Sequence, residues 1–376
     1  MKIKKYILSW LLMFVSVAAF AGVGQWRTHF AYNSVQVIAN CPEEIYALAN
    51  GAIFSINKMT ENMTLYNNRS GLHGTNVCFL MYDEEREQLL IMYSDGKMDI
   101  QYNGTMHYIS DLYNKRMTSS KKCNNITIHG KFAYLSMDFG ILVFDLEKHE
   151  FKETYYIGEE ASEVQVTDVM FCGDSIYART KSKNYSACIY DNVVDYHFWS
   201  TCPVLPCPFD TKKGKEYTMP DGDLWKVAGA QGVYRKFVTG EEAYYLPDGP
   251  YVNTPYSMTF DRGRLYVVPG GRWANQNGTE GHVMIYENKK WLNITNAQIK
   301  GQTGKRALDF MNVAVDPDDS GHYFVTSYGT GVYEFRDDVL VKRYTPSNSI
   351  LGSAAPNSPD TYTRTNFATY DSERRL

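Results

Sequence analysis

One small residue recurs along this chain at a nearly constant interval, and that recurrence limits the possible folds more than any other feature. Gly51, Gly96, Gly140, Ser186, Gly232, Gly281 and Gly331 stand 45, 44, 46, 46, 49 and 50 residues apart. Each opens a short apolar run. The clearest example is residues 130–151, GKFAYLSMDFGILVFDLEKHEF, where Ile141, Leu142, Val143 and Phe144 follow Gly140 without a polar break. A strand covered on one face alternates apolar and polar residues. A run without alternation needs cover on both faces. Short strands repeated at one period, with the middle strands buried twice, predict an all-β, seven-bladed β-propeller. A β-sandwich would supply the strands but would not keep one period over seven units.

The predicted blades cover residues 35–76, 77–123, the 130–151 unit, 166–208, 209–255, 256–309 and 310–344. The fourth is the weakest match, with Ser186 in place of glycine. The 30 tyrosines suit pleated, half-buried surfaces. Residues 24–30, GQWRTHF, resemble the short outer strands elsewhere, and Trp26 is expected to help close the ring against the last blade.

Residues 1–21 read as a secretory signal. Lys2, Lys4 and Lys5 precede the apolar run 7–20, and Ala19-Phe20-Ala21 forms a cleavage site that leaves Gly22 first. The run is short for a membrane anchor, and no cysteine follows the cleavage point to carry a lipid. The expectation is export across the inner membrane to the periplasm or cell surface. Cleavage lowers Lys+Arg from 38 to 35 against 42 acidic residues, a net charge of −7. That balance weighs against nucleic acid as a partner. Residues 22–345 form the expected propeller. Residues 346–365, rich in Pro, Ser, Asn and Thr, read as a linker. Residues 366–376, NFATYDSERRL, repeat the opening of a blade as seen in MNVAVDPDDSGHY at 311–323, and are expected to be the truncated start of a further repeat.

The chemistry-bearing residues are sparse. Seven cysteines leave at least one unpaired; the closely spaced Cys202 and Cys207 are the candidates for a disulfide-closed loop, with the pairing left open. They lack the second ligand pair of a zinc site. Cys188 reads as a strand cysteine. No G-x-S-x-G, P-loop or H-E-x-x-H occurs, and the eight histidines form no ligand pair at strand spacing. Asp316-Pro-Asp-Asp lacks the spacing of an EF-hand. Asp95 and Asp138 are the carboxylates to weigh for a propeller glycosidase or lyase, but both sit in predicted turns. The reading is therefore a non-enzymatic chain with no catalytic residues, cofactor or metal site. The longest insertion, residues 269–281, carries Arg272 and Trp273 side by side, a pairing suited to a protein hot spot or a sugar-stacking platform.

After the signal, the chain reads VGQWRTHFAYNSVQVIA, then EEIYALANGAIFSINK, then LYNNRSGLHGTNV. In combination these segments resemble the N-terminal propeller of the PorZ family, surface components of the type IX secretion system of Bacteroidetes. The resemblance covers nearly all of the mature chain. It implies a binding scaffold working with type IX secretion outer-membrane proteins, where cargo is processed and attached to anionic lipopolysaccharide. In that family a second propeller and a C-terminal β-domain follow, whereas this sequence ends at Leu376. The alternative is the periplasmic sensor propeller of a hybrid two-component regulator, which requires a membrane span and a kinase after the propeller.

Overall fold

The computed structural model describes residues 27–273, 275–355, 357–358 and 362–376. The predicted signal segment and Trp26 lie outside those residues.

Seven separate four-stranded antiparallel sheets follow one another along the chain. Their strands span residues 35–66, 77–109, 123–155, 166–201, 216–245, 257–294 and 310–344, one sheet for each predicted blade. The fold is all-β, a seven-bladed propeller. The strand Gly140–Asp145 is buried along its whole length. Its side chains divide between two cores. Leu142 and Phe144 join a cluster with Leu89 and Leu90 of blade two. Ile141 and Val143 join one with Val169 and Ile176 of blade four. The missing alternation is thus a strand with a neighbouring blade on each side. Each such buried side chain stabilises by roughly 1.5–3 kcal/mol.

Blade one is covered in the same way. Tyr46 and Leu48 face blade two, while Ile45 and Ala47 pack with Trp225 and Val233 of blade five. The Ile38 amide donates to the Gly214 carbonyl at 2.7 Å. Arg235 of blade five reaches the Lys58 carbonyl at 3.0 Å while bound to Asp223 at 2.6 Å. Innermost strands pack one on two, two on three and three on four, and strand Leu224–Val227 of blade five packs on Val35–Asn40 of blade one. Lys213, on the connection between blades four and five, bonds Asp168 at 3.1 Å and Thr127 at 2.7 Å. Blades six and seven share a separate core of Tyr266, Ile285, Phe310, Tyr323 and Phe335. On the strand Ser257–Asp261 of blade six, Met258 and Phe260 stay exposed.

Three of the six recurring glycines share one steric cause. A Cβ on Gly140, Gly232 or Gly331 would lie 2.4, 2.1 and 2.1 Å from the carbonyl oxygen of Tyr155, Tyr245 and Tyr344 respectively. Each of those tyrosines ends the fourth strand of its blade. The third strand must begin where the fourth ends, and only a hydrogen fits between them.

Four expectations change. Ser186 does not open a strand; it lies inside Asn184–Cys188, opposite Tyr177. The turn falls earlier, where the Thr180 amide bonds the Lys183 carbonyl. Residues 27–30 form no strand. They lie against blade six, with Arg27 donating to the Tyr286 hydroxyl at 2.9 Å, because blade seven already has its own fourth strand, Val339–Tyr344. Cys207 pairs with Cys172 across a Cα–Cα distance of 6.4 Å. Cys202, just after the outermost strand, instead donates its thiol to the Val204 carbonyl at 3.0 Å. Residues 366–376 form no strand either. The segment from Thr363 onward runs beside blade seven, with the Gly331 amide on the Thr363 carbonyl and the Ala368 amide on Asn312.

Candidate functional site

The insertion 269–281 leaves blade six after the strand Arg264–Val268 and returns before Val283–Glu287. Both of its ends are tied down. A Cβ on Gly270 would sit 1.8 Å from the Phe310 carbonyl oxygen, so the outgoing chain presses on the first strand of blade seven. The returning chain is held by Asp309, whose buried carboxylate accepts from the amides of Gly278 at 3.0 Å and Thr279 at 2.8 Å. Burial pushes the Asp309 carboxyl above its ordinary value, and these two amides oppose the rise.

Between the tethers, the Trp273 carbonyl accepts from the amides of Gln276 and Asn277, closing a tight turn. Trp273 is 58% exposed. The Arg272 guanidinium lies 4.7 Å from the indole ring centre. Thus the two residues singled out from the sequence form a cation–aromatic pair on a tip held at both ends, and Trp273 is exposed rather than folded back into a core. A flat apolar face with a fixed positive charge beside it can stack on a sugar ring or a peptide side chain and pair with an anion. It offers neither a nucleophile nor a base.

Asp95 and Asp138 are engaged in local structure. Asp95 pairs with Lys97 at 2.8 Å. Asp138 accepts from Asn124 at 2.9 Å and from Gln165 at 2.5 Å. Burial raises the Asp138 carboxyl, but hydrogen bonds from Ser120, Asn124 and Gln165, with Lys122 nearby, outweigh it and hold the group below its ordinary value. A low carboxyl remains ionised at neutral pH and cannot act as an acid there. Asp316 accepts from the Asp318 amide and from His322 at 2.9 Å each. Among the described residues, no group of three or more His, Cys, Asp or Glu is placed to hold a metal ion.

A second concavity was not visible in the sequence. A cleft of about 630 Å³ lies between the N-terminal segment, blade one and blade six, with Arg27, Arg69, Lys289, His29, Tyr32 and Tyr286 among its lining residues. Burial, then the nearby Arg27 charge, lowers the His29 pKa. The basic and aromatic lining suits an anionic, ring-bearing ligand. Its parts come from four distant segments, around residues 27–32, 63–70, 247–248 and 286–289, so no local motif announces it.

The comparisons with known proteins agree with this architecture. The family model described as the PorZ N-terminal β-propeller domain of the type IX secretion system matches residues 45–200. Among solved structures, PorZ of Porphyromonas gingivalis superposes with a TM-score of 0.76 at 21% identity. The match covers 93% of this chain and 57% of that one. That protein is described as an essential bacterial surface component of the type IX secretion system. Extracellular domains of two putative hybrid two-component systems from B. thetaiotaomicron superpose with TM-scores of 0.37 and 0.35. They are 11% and 13% identical, and the matches cover 85% and 86% of this chain and 50% and 48% of theirs. No curated protein matches the chain. The chain resembles the N-terminal propeller of PorZ, and it spans 57% of the length of the PorZ structure it matches.

Proposed function

We propose that this chain is a non-enzymatic binding propeller of a type IX secretion system. It is exported across the inner membrane and works with outer-membrane partners of that system, where cargo is processed and attached to anionic lipopolysaccharide. The supporting observation is the match of residues 45–200 to the PorZ propeller family. The Arg272–Trp273 tip supplies the contact with a partner protein or an anionic glycan. Its exposed indole and adjacent guanidinium are the chemistry such a contact uses. The carboxylates weighed for hydrolysis are occupied in turns, which favours a scaffold over a glycosidase.

The test is deletion of the gene in the producing bacterium, followed by complementation. Cells lacking the chain should accumulate unprocessed cargo, and the wild-type gene should restore processing. Normal cargo processing in the deletion strain would rule the reading out. In a second arm, purified protein is offered to anionic lipopolysaccharide. Trp273→Ala and Arg272→Glu should both weaken binding, and undiminished binding by both would remove the tip as the site.

A further inference from the structure

Two histidines from neighbouring blades meet on the surface of the molecule. His107 lies on the outermost strand of blade two, Thr105–Ile109. His149 lies in the turn between Gly140–Asp145 and Glu150–Tyr155 of blade three. Their ring centres are 6.0 Å apart. The Tyr102 ring stands beside both, 6.4 Å from His107 and 5.8 Å from His149.

Hydrogen-bond accounting assigns the proton on each ring. The buried Gln88 amide nitrogen donates to Asp83 at 3.1 Å and to the Leu146 carbonyl at 3.0 Å. Its oxygen therefore faces His149 Nε2 at 2.8 Å and accepts from it. The Thr105 hydroxyl donates to the Tyr102 carbonyl at 2.9 Å, so its oxygen accepts from His107 Nε2, also at 2.9 Å. Both imidazoles carry their proton on Nε2 and a bare lone pair on Nδ1. Among the described residues, neither Nδ1 has a hydrogen-bond partner.

From this arrangement we propose that His107 and His149 form a surface site for a divalent transition-metal ion of the zinc type. Both rings ligate through Nδ1, and water completes the shell.

Two observations support the site. A metal about 2.1 Å from each nitrogen lies about 3.3 Å from each ring centre, so two ligating rings have centres about 5.3–6.5 Å apart between tetrahedral and linear angles. The observed 6.0 Å falls inside that range. The Nε2–H bonds to Gln88 and Thr105 are the outer-shell contacts that orient ligating imidazoles and fix their tautomer.

The test is calorimetric titration of untagged protein with zinc chloride in a non-chelating buffer. One site is expected. His107→Ala and His149→Asn should each weaken it by at least roughly ten-fold, with asparagine chosen because His149 has φ +56° and asparagine tolerates that backbone. Thr105→Val keeps both imidazoles but removes the acceptor that orients His107, and should weaken zinc by roughly ten-fold. His197→Ala, at an exposed histidine of blade four, should bind zinc as the parent does. Absence of zinc binding by the parent, or equal affinity in the parent and His107→Ala, would overturn the proposal. So would unchanged affinity in Thr105→Val, because the lone-pair assignment would then be wrong.

Discussion

Gly331→Ala tests the steric account of the repeat directly. Gly331 has φ +95°, and an added Cβ would lie 2.1 Å from the Tyr344 carbonyl oxygen. Two costs arise. Holding alanine in a left-handed conformation costs about 1–2 kcal/mol. Forcing backbone apart in a packed blade costs about 1–3 kcal/mol more. Alanine also stiffens the unfolded chain, which returns about 0.4–1 kcal/mol. The net destabilisation is about 2–4 kcal/mol. Gly263 provides the matched control. Its φ is +89°, yet nothing lies within 4 Å of its added Cβ, so Gly263→Ala incurs the backbone term alone, about 1 kcal/mol net. Urea unfolding, followed by tryptophan fluorescence and circular dichroism, measures both. A kilocalorie moves the melting point of a large domain by roughly 2–4 °C. Gly331→Ala should therefore melt roughly 5–10 °C below the parent, and Gly263→Ala only a few degrees below. Equal midpoints for the two variants would refute the idea that the repeat exists to let the fourth strand approach the third.

Other outcomes follow from single contacts. Peptide mapping without reduction should recover Cys172 linked to Cys207 and Cys202 free; reduction should cost about 3.8 kcal/mol by loop-closure entropy for a separation of 35 residues. Burial raises the Asp223 carboxyl, but the Val238 amide and the Arg235 guanidinium outweigh it and hold the pKa below its ordinary value. A depressed carboxylate stabilises the fold above its unfolded pKa, and that contribution is lost as pH falls below about 4. Melting curves of Asp223→Asn should show a shallower acid decline than the parent. Asp223→Ala, which leaves Arg235 in place without its buried partner, should cost about 3–5 kcal/mol at neutral pH. Trp273→Ala should change stability by no more than about 0.5 kcal/mol, because the indole is exposed; a larger loss would mean that the ring supports the loop.

What could be read from the sequence is what the fold repeats. Ile141 to Phe144 could be read as doubly covered because this middle strand meets a neighbouring blade on each of its two faces. Gly140, Gly232 and Gly331 recur because each clears a fourth-strand carbonyl. Which blade covers which was not legible. Ile45 and Ala47 pack on blade five, and any apolar neighbour would have satisfied the same pattern. The disulfide was not legible for a related reason. The short gap from Cys202 to Cys207 is a local signal, while Cys172 lies 35 residues from Cys207 and comes near it only once the blade has formed. Arg272 and Trp273 could be found because they are adjacent, but the loop that carries them is held at its base by Asp309 and by Phe310 of blade seven. His107 and His149 escaped notice altogether, since their tautomers are set by Gln88, Leu146, Thr105 and Tyr102, which share no spacing. Periodicity records constraints that every blade must meet. A binding site is built once, from contacts made across blades, and it therefore leaves no period to read.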